Sequence, residues 1–230
     1  MKKNSKQKKA DIIIRELYKL YPEAECSLEF SNDPFRLLVM ARLSAQCTDA
    51  RVNIVSEELF KILPDVYAMA SASYEQIEEI IKPCGLFRTK AKNIKDMSKI
   101  IIEKFQGKVP SDMESLLSLP GVGRKIANLI RGDCFGIGGI VADTHCIRLT
   151  NRFGLADSDN PLAVELALDP IIPKDLQSGY CHRMVYFGRE YCKAQNPRCS
   201  ECPLKDLDVC VYKNTINGNG RKTPKKPKAV

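Results

Sequence analysis

The chain has 230 residues, 44% of them hydrophobic, which is enough to bury a substantial core in one domain or in two small interlocked ones. No apolar run approaches a membrane span, and Asp11, Arg15, Glu16 and Lys19 interrupt the segment DIIIRELYKLY, so it supplies no signal-peptide core. The net charge of +8 sits at the ends: residues 1–9 hold five lysines and residues 221–230 one arginine and four lysines, and the remaining 26 basic and 28 acidic residues exclude a globally basic core.

Apolar residues recur at helical spacing through most of the chain, and sustained strand-type alternation is hard to find, so the sequence predicts an all-α fold. Asp33 and Pro34 mark a helix start, with the stripe Phe35, Leu38, Ala41 and Ala45 running on to LSAQ. A second helix spans about Asp49 to Leu63 and is halted by Pro64. Ser73 with Gln76, and Ser111 with Glu114, fit the capping-box pattern. Between these pairs, RTKAKNIKDMSKIIIEKF reads as a long amphipathic helix ended by Gly107. Leu119, Pro120, Gly121, Val122 and Gly123 form a tight turn into a helix entered at Arg124 and Lys125, and the glycine-rich break from Gly136 to Gly139 closes that helix. Further helices are expected near Asp143, at Asn160–Pro161, and from Asp175 towards Cys192.

The Gly-Val-Gly turn leaves backbone N–H groups unpaired at the start of the following helix, where the helix dipole also favours an anion such as phosphate. Lys125 falls in the first turn of that helix, where the dipole and the like charge of Arg124 disfavour its ammonium form. A neutral amine is a nucleophile able to form a Schiff base with a sugar carbon; from composition alone, a point-charge contact to phosphate is the plainer role. Asp143 is the candidate carboxylate partner. About 15 Å of helix from Lys125 to Phe135 and up to roughly 25 Å of extended chain from Phe135 to Asp143 permit a return to the hairpin. There it would stabilise oxocarbenium character and assist proton transfer, and it also suits a helix N-cap.

With no export signal the chain is placed in the cytoplasm, where ten cysteines are thiols or metal ligands and not disulfides. Cys192, Cys199, Cys202 and Cys210 form C-x6-C-x2-C-x7-C within nineteen residues. Four thiolates suit tetrahedral zinc or an iron–sulfur cluster, and ligand chemistry alone leaves zinc the commoner choice. Cys26, Cys47, Cys84, Cys134, Cys146 and Cys181 are scattered and read as small hydrophobes.

LSAQCTDARVN at Leu43 to Asn53, GLFRTKAKNI at Gly85 to Ile94, LPGVGRKIAN, ADTH, FGREYC and the cysteine cluster occur in the order found in endonuclease III, and together they span nearly everything between the tails. LPGVGRKIAN resembles the helix-hairpin-helix motif, which grips a DNA backbone without reading bases. The resemblance implies a six-helix barrel domain over 27–139 that contains the hairpin, and a cluster domain over 10–26 and 140–212, built from both chain ends. Residues 1–9 and 213–230 remain as basic tails that raise non-specific DNA affinity. It implies a bifunctional glycosylase and abasic-site lyase that removes oxidised pyrimidines and cuts 3′ to the abasic site by β-elimination. In that reading Lys125 is the nucleophile and Asp143 the essential carboxylate. Gln46 enters the space vacated by the flipped nucleotide, Leu86 wedges at the opposite strand, and Gly121, Val122, Gly123 and Arg124 hold the backbone.

The same resemblance turns the cysteine site from zinc to a [4Fe–4S] cluster that shapes a basic loop, for which Lys193 and Arg198 are suited. One departure is the last interval, x7 where the family has x5, with Cys210 as the natural fourth ligand. Adenine-specific relatives replace the hairpin lysine, which this chain keeps. A non-catalytic helix-hairpin-helix DNA-binding protein with a structural zinc is the alternative from another class; it needs the hairpin and cysteines but not Lys125 and Asp143 together. The expected partner is double-stranded DNA containing damaged bases or abasic sites, bound by a monomer without membrane association and, in a bacterium, at the nucleoid.

Overall fold

The computed structural model describes residues 5–212, so the expected tail 213–230 lies outside the described residues. Among them are eleven α-helices and no strand. The basic start departs from a free tail, because helix α1 (Ser5–Leu20) already includes the last of its lysines. Lysine is a good helix former, and here Lys6 donates to the Leu155 carbonyl at 3.0 Å and Gln7 to the Ile171 carbonyl at 2.8 Å. Ala10, Ile13, Ile14 and Leu17 then form the buried i, i+3, i+4, i+7 stripe that holds the helix down.

The chain divides into two compact units. One comprises residues 25–141 and 174–179. It holds α2 (Pro34–Leu43), α3 (Asp49–Ile62), α4 (Val66–Ser71), α5 (Tyr74–Ile81), α6 (Phe87–Phe105), α7 (Met113–Leu117) and α8 (Arg124–Phe135). Asp33 caps α2, accepting from the Phe35 and Arg36 amides, and Ser73 caps α5 through the Gln76 amide. The cap of α7 is Asp112 and not Ser111: its carboxylate accepts from the Ser115 amide at 2.8 Å, a charge-assisted bond that places the helix start one residue later.

Helix α2 is the centre of this unit. The expected stripe understates it, since Leu37, Val39, Met40 and Leu43 are buried together with Phe35, Leu38 and Ala41. The reason is that α2 packs against α3, α6 and α8, so nearly every side of it meets a neighbour. Each fully buried leucine contributes about 1.5–3 kcal/mol; Leu38→Ala would remove that and leave a cavity.

The other unit comprises, among the described residues, 5–24, 142–173 and 180–212. It contains α1, α9 (Thr144–Arg152), α10 (Pro161–Leu168) and most of α11 (Gln177–Glu190). Helix α11 begins after a 3-10 turn at Lys174–Leu176, so Asp175 lies in that turn and not at the helix start. The segment after α1 is fastened from within: Arg183 donates to the Pro22 carbonyl at 2.7 Å and stacks on Tyr18, 3.6 Å from the ring centre. No helix among the described residues is long and apolar enough to cross a membrane.

Candidate functional site

Helices α7 and α8 are joined by the short turn that the sequence marks. Gly121 has φ 78°, the left-handed backbone that glycine adopts without penalty, and the Val122 amide closes the turn on the Leu119 carbonyl at 3.1 Å. Buried Leu119 and Val122 anchor the turn in the core. A side chain at Gly121 would run into Arg42 and Asn93, 2.7–2.9 Å away, which are themselves joined by an Arg42 Nε to Asn93 Oδ1 bond of 3.0 Å. Gly123 differs. It has ordinary backbone angles, caps α8 without a side-chain hydrogen bond, and faces open space where a Cβ would stand. The space beside Gly123 is thus open at the end of α8 where the helix dipole is positive.

Lys125 is exposed in the first turn of α8, and its side chain makes no hydrogen bond or ion pair within its unit. One turn further on, Asn128 is only 2% exposed and donates its side-chain amide to the Ile140 carbonyl at 2.9 Å. This bond fastens the returning chain to the helix that carries the lysine. The glycine-rich break makes the approach possible: Gly138, at φ 80°, passes the Lys174 carbonyl, and a Cβ on Gly139 would lie 2.9–3.0 Å from Asn128. The chain then leaves this unit at Val141. In the other unit, Asp143 is partly buried as the N-cap of α9, its carboxylate accepting from the Cys146 amide at 2.7 Å. Lys125 and Asp143 therefore belong to different units, each with its own support.

Gln46 and Leu86 share the unit of Lys125. Gln46 is exposed after the end of α2, and Leu86, 55% exposed, stands at the start of α6. Both have left-handed backbone, φ 55° and 50°, which is uncommon for residues with side chains. Leu86 is thus not packed as a core leucine.

Cys192, Cys199, Cys202 and Cys210 line a single pocket with Phe153, Phe187, Tyr191, Leu204 and Tyr212. Burial, and then the neighbouring Cys192 and Cys210 sulfurs, hold the Cys199 thiol above its ordinary value. Burial does the same at Cys202 against an opposing Leu204 amide, again with the other three sulfurs adding to the rise. Four cysteine side chains converging on one pocket fit an iron–sulfur group, whose irons take them as thiolates.

Arg152, only 8% exposed, organises the segment at Cys192. It donates to the Cys192 Sγ at 3.1 Å and to the Lys193 carbonyl at 2.7 Å, while Arg148 adds bonds to the Cys192 carbonyl at 3.1 and 3.2 Å. Arg152 also holds the residues just after Cys210: its carbonyl accepts from the Val211 amide at 2.9 Å, and its guanidinium lies 4.3 Å from the Tyr212 ring centre. In the longer final interval, Asp208 turns with φ 51° and buried Leu204 and Val209 hold the loop, so the two extra residues are absorbed before Cys210. Lys193 and Arg198 are exposed on the same segment. Asn128 closes the LPGVGRKIAN segment, but the sequence gives no sign of its bond to Ile140, and Arg152 stands in none of the sequence patterns, because each acts on groups distant in the chain.

Residues 39–174 match the family model described as the HhH-GPD superfamily base excision DNA repair protein. Residues 192–207 match the iron-sulfur binding domain of endonuclease III, and Cys210 lies three residues beyond that match. Endonuclease III of Synechocystis sp. (strain ATCC 27184 / PCC 6803 / Kazusa) is 45% identical over 204 residues, covering 88% of this chain and 93% of the relative. That of Bacillus subtilis (strain 168) is 44% identical over 201 residues, covering 87% and 91%. Among solved structures, a trapped endonuclease III–DNA covalent intermediate matches with a TM-score of 0.85 and 40% identity over 91% of this chain and 98% of that chain.

Proposed function

The chain belongs to the endonuclease III family of base excision DNA repair proteins, and from that premise we propose how its own residues perform the chemistry. It is a DNA glycosylase with abasic-site lyase activity, acts on damaged double-stranded DNA, and carries a [4Fe–4S] cluster. Lys125 is the nucleophile. Its amine attacks the C1′ of an extruded nucleotide, and the glycosidic bond breaks with its electron pair leaving on the base. The C1′ aminal that results opens its ring, the C1′–O4′ bond breaking as O4′ takes a proton and the attacking nitrogen gives one up, and the Schiff base so formed acidifies C2′; loss of a C2′ proton then expels the 3′ phosphate by β-elimination, breaking the C3′–O bond. Asp143 supplies negative charge as positive character develops on the sugar and assists the proton transfers, while its second carboxylate oxygen leaves the N-cap bond intact.

Lys125 carries this reading: it is exposed, its side chain is unengaged within its unit, and it stands in the first turn of a helix whose start suits a phosphate. The amides after Gly123, with Gly121, Val122 and Arg124, hold the DNA backbone, and Gln46 and Leu86 fill the space that the extruded nucleotide leaves. Cys192, Cys199, Cys202 and Cys210 hold the cluster, which supplies a rigid frame for the exposed Lys193 and Arg198. The barrel role falls to residues 27–139 and the cluster role to 10–26 with 140–212. DNA as substrate supports a cytoplasmic location and, in a bacterium, one at the nucleoid.

The alternative of a non-catalytic binding protein with zinc is not favoured, since the matched family members are enzymes with an iron–sulfur domain. The test is a duplex bearing one oxidised pyrimidine. Release of the free base together with a strand cut 3′ to the lesion supports the bifunctional reading, and binding without base release contradicts it.

A further inference from the structure

Lys90 is a lysine on α6 with no exposed surface, and neither the hairpin nor the cysteine pocket uses it. Its ammonium donates to the Leu43 carbonyl at 2.8 Å and to the Cys84 carbonyl at 2.9 Å. Leu43 is the last residue of α2, three residues before Gln46, and Cys84 ends the 3-10 turn Lys82–Cys84, two residues before Leu86. The backbone amide of Lys90 also donates to the Leu86 carbonyl at 3.0 Å. A single buried cation thus bridges two loops whose exposed residues, Gln46 and Leu86, both hold left-handed backbone.

Packing alone does not account for a lysine here, because methionine has similar length and requires no desolvation of a charge. What the ammonium adds is a bridge between two helix-end carbonyls that have no partner within their own helices. We propose that Lys90 is a positioning residue that locks the Gln46 and Leu86 loops into one rigid, two-pronged wedge, so that base extrusion begins on a preformed surface. This role rests on the reading of Gln46 and Leu86 as the residues that fill the vacated space.

The test compares the cluster-containing wild-type protein with Lys90→Met in two measurements. The first is hydrogen exchange without DNA. The expected result is a rise of tenfold or more in residues 44–48 and 85–88 together, with the rest of the barrel unmoved; a rise in one segment only, or in neither, overturns the bridge. The second is the single-turnover rate on a lesion-bearing duplex divided by the rate of cutting a single-stranded abasic oligonucleotide, which has no partner strand to wedge apart. A merely structural defect lowers both rates alike, whereas lost positioning lowers the ratio, here by tenfold or more. An unchanged ratio in Lys90→Met, beside a lowered ratio in Gln46→Ala and Leu86→Ala, overturns the positioning role. An unchanged ratio in all three variants overturns the wedge reading itself, which the exchange measurement does not depend on. If Lys90→Met fails to fold, Lys90→Gln, which keeps one pair of amide donors, is put through the same two measurements, with partial loosening of both loops expected.

Discussion

The Asn128 side-chain amide meets the Ile140 carbonyl at 2.9 Å, one helical turn beyond Lys125, and both groups are buried. Asn128→Ala leaves that carbonyl without a donor and opens a small void, at a cost of roughly 2–3 kcal/mol. Because the bond fixes the chain that leads from the hairpin helix, lyase turnover on abasic DNA is expected to fall more than stability explains. Single-turnover rates measured at a temperature where the variant remains folded check this.

Gly121 and Gly123 should respond oppositely to substitution. Gly121→Ala places a Cβ against Arg42 and Asn93 on left-handed backbone, and should lower stability by about 1–3 kcal/mol. Gly123→Ser adds a good N-cap in open space, so stability should stay within about 0.5 kcal/mol of wild type or rise. Its side chain fills the seat of the phosphate, and loss of one charge-assisted bond should weaken DNA binding by roughly tenfold. Thermal melts and binding titrations at fixed salt separate the two.

Cluster content distinguishes Cys210 from the position at which the family spacing would put a ligand, which is Asp208 in this chain. Cys210→Ala is expected to lower bound iron and the visible absorbance of the cluster, and Asp208→Ala to leave both near wild type. Arg152→Met should keep all four ligands yet lose iron faster in air, because the bond to the Cys192 sulfur is gone. Iron analysis after anaerobic and aerobic handling gives the comparison.

Alkaline pH tests the barrel core. Burial, and secondly the neighbouring Cys47 thiol, push the Cys84 thiol up to about 11. The folded state then keeps a proton that the unfolded chain has lost, so stability is full below the ordinary thiol value near 8.5 and declines as pH rises from there to about 11. Cys84→Val removes this group and should flatten the decline by up to about 1.4 kcal/mol per pH unit. Denaturant midpoints at pH 8, 9 and 10 show whether it does.

The cap signals were legible because they are local. Asp33, Ser73 and Asn160 each bond amides two or three residues ahead, so the helix starts at Pro34, Tyr74 and Pro161 follow from short stretches of sequence. The hairpin turn and the cysteine spacing are readable for the same reason. Lys90 was not readable, because a lysine on an amphipathic helix resembles any solvated face until a carbonyl 47 residues away closes over it. Arg152 likewise acquires its role from Cys192, 40 residues on. The near-complete burial of α2 also depends on three partner helices that no local period records.

The attack by Lys125 is tested most directly by borohydride reduction during incubation with abasic duplex DNA. The expected result is a covalent protein–DNA complex for the wild-type protein that is lost in Lys125→Gln while the variant still binds the DNA. Strand cutting by the wild type without any trapped complex, or equal trapping by Lys125→Gln, would contradict it.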